Sequence, residues 1–364
     1  MLDIKKNNKN INGKKLLYKL IIIILFNLII LTLFVLDKNK KTIKKVGVIG
    51  VRHEVNIGNN LIKYAISILL KNLGYEPYII GTHLKNKNIS FINQTTNLVI
   101  IQKNFSEIKK DDYDVLMVNS DQTWRKFDKN FYDYGFLKFA EGWKIKKFVY
   151  GASIGFNYWQ LTSEEDNIAR NLLKDFTGIS TREKGSMKLI EEHFKIKPEF
   201  VLDPTLLINK KYYLDIIKNF KGEINFQKKF IFIYCIERSK YIVETIKKLK
   251  SIFNYDIYYL DLNNCSVQKF IYYIIKSVGV ITNSFHGIIF SIIFNKPFIT
   301  IYGKSLPTER FNSLSNIFGI QSRLFQNGQY IDINQLLKPL NINYTLFNQL
   351  KLKSINFIKN NLEK

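Results

Sequence analysis

Short apolar runs alternate with stretches of helical periodicity along most of the chain. Val46–Val51 is a run of buried-strand type. Leu61, Ala65, Ile68 and Leu69 follow at helical spacing, Gly74 stops that helix, and Pro77–Ile80 begins the next strand. The three together predict a βαβ unit with a glycine-containing loop, although the G-x-G-x-x-G fingerprint is missing. YDVLMVNSDQ reads as a strand ending in Asn119, Ser120, Asp121 and Gln122, with Trp124 and Arg125 close behind. KFVYGASIGF repeats that design, with Ser153 and Gly155 closing an apolar strand. Ser163, followed by Glu164, Glu165 and Asp166, predicts a capped helix running through Phe176. GIST then gives a short strand with Arg182 and Glu183 at its end, and EFVLDPTLLI brings Asp203 and Pro204 to another. Strands alternating with amphipathic helices predict a parallel sheet wound on both faces.

Lys218–Lys229 is rich in lysine, poorly patterned, and reads as a linker. A second series of the same kind follows: KFIFIYCI as a strand, Ser239–Phe253 as a helix with Ile242, Ile246 and Leu249 inward, DIYYLDL as a strand and Val267–Lys276 as a helix. Val278–Gly303 then gives an apolar strand, a polar turn, an apolar helix closing at Asn295, and another strand beyond Pro297. The expected fold class is α/β, with Rossmann-like domains over 46–220 and 229–330 and a helical tail over 331–364. Two such domains facing across a cleft suit a transferase whose donor and acceptor enter from opposite sides.

Ahead of this lies a different pattern. Leu16–Leu36 is apolar all round, interrupted only by Lys19, Asn27 and Thr32, and is close to the ~20 residues that a bilayer-spanning helix needs. It predicts an uncleaved single-pass anchor, between a basic tail over 1–15 and a basic linker over 37–45. Lysines crowd both flanks, so the positive-inside rule gives no orientation.

Composition adjusts this picture little. Hydrophobic residues make up 46% of the 364, ample for packed cores. The net charge of +25 is partly local, since residues 1–45 hold eleven Lys against two Asp. Overuse of Ile, Asn, Lys, Phe and Tyr points to an AT-rich genome, which adds lysine without functional pressure. The remaining diffuse basic surface favours anionic partners, but no basic helix, zinc pattern or aromatic RNA-binding signature points to nucleic acid. Cys235 and Cys265 have neither metal nor redox spacing.

Candidate chemistry gathers at strand ends. His286 follows a buried strand and opens a helix, the position where open α/β sheets collect ligand groups. It reads either as a catalytic imidazole or as a packed histidine bonded to a neighbouring carbonyl. Asn56, Gly58 and Asn59 lie where a helix start leaves N–H groups free for an anion or a sugar hydroxyl, and Asn59 is equally suited to be the helix cap.

In order and spacing these motifs resemble the polysaccharide pyruvyl transferase family from about Val46 to about Phe325. The marks are N-x-G-N (Asn56–Asn60), S-D-Q-x-W (Ser120–Trp124), YGASIG (Tyr150–Gly155), I-S-x-R-E (Ile179–Glu183), L-D-P-T-L-L (Leu202–Leu207) and N-S-F-H-G (Asn283–Gly287) before NKPFI. The resemblance implies two Rossmann-like domains in a glycosyltransferase-B-like arrangement. It also implies transfer of the enolpyruvyl unit of phosphoenolpyruvate to a sugar of a polysaccharide or glycan, giving a pyruvate ketal. Its catalytic set falls on His286, Asp121 and Arg182. Substrate-binding candidates are Asn56, Gly58, Asn59, Ser120, Gln122, Ser153, Ser284 and Arg310. Such a donor carries a phosphate and a carboxylate, which planar guanidinium groups grip in two bonds; Arg182 is the first candidate and Arg310 the second. His286 has the right range to pass protons near neutral pH. Asp121 reads as an acid/base, a sugar-hydroxyl acceptor or a turn cap. Some family members carry an arginine at the position of Ser284. No metal and no cofactor is expected. Two other readings share the pattern: a nucleotide-sugar-dependent glycosyltransferase, and an inactive partner in glycan assembly.

Overall fold

The computed structural model describes residue 25 and residues 43–50, 56–81, 99–102, 104–126, 130–222, 227–262, 265–303 and 308–363. Lys44–Lys364 form a compact unit of their own. The predicted anchor Leu16–Leu36, apart from Leu25, lies outside the described residues, as do the tail 1–15 and residues 37–42 of the linker. No helix among the described residues is long and apolar enough to cross a membrane.

Two all-parallel sheets organise the unit. The first holds β1 (Lys45–Ile49), β2 (Glu76–Gly81), β3 (Val99–Gln102), β4 (Val115–Val118), β5 (Lys146–Ala152), β6 (Gly178–Thr181) and β7 (Glu199–Phe200), in the order 3-2-1-4-5-6-7. The second holds β8 (Phe230–Tyr234), β9 (Asp256–Tyr259), β10 (Gly279–Thr282), β11 (Phe298–Tyr302) and β12 (Leu324–Gln326), in the order 12-11-10-8-9. β4, β8 and β10 are buried along their whole length, as helices on both faces of a parallel sheet require, and this is why they read as continuous apolar runs. Pro77 has no N–H to give, and β3 pairs with β2 only from Tyr78 onward.

Most predicted helices form, with adjusted ends. The Ile57–Asn72 helix is capped by Asn56, whose Oδ1 accepts from the Gly58 N–H at 2.8 Å; Asn59 is not the cap but lies buried in the first turn. Gly74 ends that segment at φ +85°, a backbone setting that favours glycine. The cap expected at Ser163 is instead Thr162, in a reciprocal box with Glu165, because the acidic residue three positions on answers Thr162 rather than Ser163. That helix stops at Leu173, short of Phe176. The Phe285–Ile293 helix is buried from Phe285 to Ile292, a core helix rather than an amphipathic one, and Asn295 turns out of it at φ +52°.

The two sheets share one hydrophobic core. Tyr213, on the helix Lys210–Ile216, is the seam: its ring meets Tyr64 of the Ile57–Asn72 helix at 6.0 Å and Phe290 of the Phe285–Ile293 helix at 4.8 Å. Its hydroxyl donates to the Thr205 carbonyl at 2.8 Å, so the polar end is satisfied inside. A second seam joins the helices Lys184–Phe194 and Glu309–Phe318, where the Lys184 N–H donates to Ser313 Oγ at 3.2 Å. The final helix, Tyr344–Glu363, returns to the first sheet. Phe357 packs against Phe148 and Tyr150, Ser354 Oγ accepts from the Leu202 N–H at 2.9 Å, and Asn361 meets Thr177 at 2.9 Å.

Candidate active site

Open parallel sheets bind ligands beyond the carboxyl ends of their strands, at the point where strand order reverses. In the first sheet that point lies between β1 and β4, in the second between β8 and β10. Asn56, Gly58 and Asn59 follow β1, Ser120, Asp121 and Gln122 follow β4, and Ser284 and His286 follow β10, at these two places; Ser153 and Arg182 follow β5 and β6, and Arg310 lies in the helix after β11.

His286 stands in the first turn of the helix after β10, and its neighbours explain the T-N-S-F-H-G string. Thr282 Oγ1 donates to the Tyr234 carbonyl at 2.6 Å, tying the end of β10 to β8. Asn283 holds the loop after β8 from both ends of its amide: Oδ1 accepts from the Ile236 N–H at 2.7 Å, and Nδ2 donates to the Glu237 carbonyl at 2.6 Å. Ser284 is the helix N-cap, its Oγ accepting from the Gly287 N–H at 3.4 Å. A Cβ on Gly287 would fall 2.1 Å from Thr282 Oγ1, so only glycine lets the helix begin this close to its strand.

Arg182 is the hub. It is buried at the end of β6, with Nη1 donating to Asp203 Oδ2 at 2.5 Å and to Ser120 Oγ at 3.3 Å, and Nη2 donating to Asp121 Oδ1 at 2.9 Å. Its carbon Cζ stands 4.8 Å from the centre of the Phe285 ring. Burial alone would lower its pKa, but Asp203, Asp121 and Glu183 outweigh that and hold it above its ordinary value. Two of its three nitrogens are therefore committed, and Nε lies buried without a hydrogen-bond partner among the described residues.

Asp121 has φ +130°, a rare setting for a residue with a side chain. Its carbonyl accepts from the Ser153 and Thr123 N–H groups at 2.8 Å each, pinning it between β4 and β5. Its carboxylate is one-seventh exposed, against about one-hundredth for Arg182 and Asp203, so it is the member of the cluster that reaches solvent. Strain of this kind gathers at functional sites.

His286 is buried, but among polar groups rather than in a hydrocarbon pocket. The ring lies against Gly58, where an added Cβ would stand 2.0 Å from Nδ1. On the other side Nε2 is 3.9 Å from Asp203 Oδ2 and has no hydrogen bond among the described residues. Burial pushes the imidazole pKa down to about 4; Asp203 opposes that and Arg182 adds to it. At neutral pH the ring is an uncharged proton acceptor. Asp203 is buried as well. Burial would raise its carboxyl pKa, yet the Arg182 guanidinium, His286 and the Thr205 bonds bring it below the ordinary carboxylate range.

A second guanidinium completes the set. Arg310, in the Glu309–Phe318 helix, faces Phe285 with Cζ 6.0 Å from the ring centre, and its Nε is buried without a hydrogen bond among the described residues. Burial lowers its pKa to about 10, with Glu183 opposing. Glu183 in turn takes the Ser153 hydroxyl at 2.8 Å and the Ser186 hydroxyl at 3.0 Å. At the rim Gln122 Oε1 accepts from Arg125 at 3.0 Å, and Arg125 lies over the Phe156 ring at 4.3 Å.

The structure thus brings Asp121, Arg182, His286, Ser120 and Gly58 together directly, and Ser153 and Arg310 through Glu183. Several side chains expected to bind substrate are already engaged. Asn56 and Ser284 cap helices, Ser120 Oγ donates to the Gly151 carbonyl at 3.0 Å, and Ser153 is given to Glu183. Asp203, Glu183 and Phe285 were not among the expected site residues. Each lies inside one of the marked motifs, where the sequence signals a strand end but not what the side chain meets.

No protein of curated function is similar enough in sequence to be matched. Among solved structures the chain is similar to the UDP-GlcNAc 2-epimerase of Methanocaldococcus jannaschii (TM-score 0.57, 15% identity, 87% of this chain and 99% of that one). It is similar too to an S. aureus MnaA–UDP co-structure (0.53, 16%, 88% and 97%) and to a glycosyltransferase of Rickettsia africae ESF-5 (0.52, 13%, 88% and 94%). At such identities the likeness is one of fold, and the fold is that of two facing parallel α/β sheets. The family model described as polysaccharide pyruvyl transferase matches residues 56–305, from the Asn56 cap to just beyond β11. That span carries every residue of the cluster except Arg310, and the chain belongs to the polysaccharide pyruvyl transferase family.

Proposed function

We propose that this chain is a transferase that moves the enolpyruvyl group of phosphoenolpyruvate onto two hydroxyls of one sugar in a polysaccharide or glycan. The observation that carries the reading is the meeting of an uncharged His286 with the Arg182–Asp121–Asp203 cluster where the two sheets face each other. The first sugar hydroxyl adds to C2 of the donor as C3 takes a proton. The second hydroxyl then displaces phosphate, its proton leaving with the phosphate, to give a ketal. His286 takes the proton of the attacking hydroxyl and returns it to C3, a relay suited to a neutral imidazole. Asp121, held by Arg182 and open to solvent, accepts a hydrogen bond from the sugar. Arg310 grips the donor's oxyanions, because most of Arg182 is already committed to carboxylates.

Incubating the protein with labelled phosphoenolpyruvate and a panel of glycans should release one phosphate per label incorporated. A second reading rests on the shared fold with the M. jannaschii epimerase and the Rickettsia glycosyltransferase: a nucleotide-sugar donor would give nucleotide release and no phosphate from phosphoenolpyruvate. The apolar segment Leu16–Leu36 serves in this proposal as a single-pass anchor holding the enzyme at a membrane where glycans are assembled. Extraction by detergent but not by alkaline carbonate tests that part.

A further inference from the structure

We infer that the Phe156–Tyr158 pair, with Arg125 laid over Phe156, is the platform on which a sugar ring of the acceptor stacks. The inference deepens the proposed transfer and rests on it for the nature of the acceptor, a glycan. The pair lies in the loop between β5 and the Ser163–Leu173 helix, at the carboxyl end of the first sheet, where Asp121 reaches solvent. Phe156 stacks with Tyr158 at 4.9 Å between ring centres and 28° between planes. Tyr158 is 54% exposed, so the stack has an open side. One exposed aromatic ring is ordinary on a protein surface. A stacked pair joined to a buried charged cluster is not.

Three observations join it. Arg125 Cζ stands 4.3 Å from the centre of the Phe156 ring, and its Nη1 donates to Oε1 of Gln122, the residue after Asp121, at 3.0 Å. Arg125 is also among the charges that bring the Arg310 pKa down to about 10, so it stands near the guanidinium proposed to grip the donor. Gly155 has φ +77°, and a Cβ there would come 2.9 Å from Gln122 Cδ and 3.1 Å from Arg125 Cδ, so the loop backbone is pressed onto the rim of the cluster.

The loop is fixed on both sides of the pair. Before it, Ser153 Oγ accepts from the Gly155 N–H at 3.0 Å. After it, Trp159 Nε1 donates to Asp166 Oδ1 at 2.8 Å, and the indole stacks on His193 at 4.2 Å. Rings held in this way lose little freedom when a ligand arrives. The chemistry of the two substrates then decides which of them the stack serves. Phosphoenolpyruvate is small and carries a phosphate and a carboxylate, which call for guanidinium groups. A pyranose has a face of C–H groups and a rim of hydroxyls. Its face lies on an aromatic ring, and polar groups beside that ring take its hydroxyls.

The test is binding of the full-length chain, in mild detergent, to a printed array of oligosaccharides with no phosphoenolpyruvate present. The native protein should hold at least one glycan. Tyr158→Ala should weaken that binding about tenfold, and Tyr158→Phe, which keeps the ring, should not. In turnover, Tyr158→Ala should raise the KM for the same glycan about tenfold while the KM for phosphoenolpyruvate barely moves. An array that holds no glycan, or a signal that survives Tyr158→Ala, overturns the inference. So does a Tyr158→Ala protein whose sedimentation changes while its glycan binding does not, which assigns the pair to a protein contact. Glycan held through Tyr158 without transfer from phosphoenolpyruvate sinks the proposed activity and leaves the platform standing. Transfer with an unmoved acceptor KM does the reverse.

Discussion

His286 and Gly58, carried by helices of different sheets, touch: there is no room between the imidazole and the Gly58 backbone for even a methyl group. Gly58 is thus part of the site by what it lacks. Gly58→Ala should push the ring from its place and destabilise the unit by about 1–3 kcal/mol, the usual cost of overpacking. His286→Ala made on top of it should recover most of that loss. A double-mutant cycle from urea unfolding reads the coupling, and additivity of the two changes would contradict the contact.

Arg182 neutralises two carboxylates inside the protein. Arg182→Met leaves Asp203 buried without its counter-charge and should cost about 3–5 kcal/mol. Arg182→Lys keeps the charge but not the fork that reaches Asp203 and Asp121 together. It should fold, yet lose most turnover. Thermal melts beside phosphate-release assays separate the two effects.

Stability should depend on pH through His286. Its folded pKa of about 4 lies below the ordinary imidazole value of about 6.5. Between these values the unfolded chain binds a proton that the folded one refuses. The stabilisation is whole above about pH 6.5 and is lost as pH falls toward 4, up to about 3 kcal/mol. Asp203, also depressed, adds loss of the same sign at lower pH. Urea midpoints at pH 7.5 and pH 5 should differ in the native protein, and His286→Gln should shrink the difference.

Arg310 has an unpaired buried nitrogen beside a site proposed to hold a doubly anionic donor. Arg310→Ala should raise the KM for phosphoenolpyruvate by about 10–10²-fold, the worth of one hydrogen bond to a charged group. The KM for the acceptor should barely move. Equal effects on both would place Arg310 outside the donor pocket.

The strand–helix alternation and most helix starts could be read in the sequence because burial on both faces of a parallel sheet forces apolar runs, and polar side chains mark where they end. Val267–Lys276 has the predicted limits. Caps were harder to place: Asn56 and Asn59, or Thr162 and Ser163, carry similar chemistry a few residues apart, and only the backbone geometry chooses between them. The candidate site was legible as strand-end residues, but not in its pairings. Asp203 lies 21 residues from Arg182 and comes from the far side of a helix, so nothing local announces that their charges meet. The same holds for Glu183 with Ser153, 30 residues apart.

The last helix, Tyr344–Glu363, comes back to the first sheet after the second is complete. The polypeptide therefore crosses between the halves twice, once after Ile216 and once before Tyr344. Two chain crossings, added to the core that the halves share, restrain how far the sheets can move apart. His286 stands on one half and Gly58 and Asp203 on the other, so any movement between the halves would part them together.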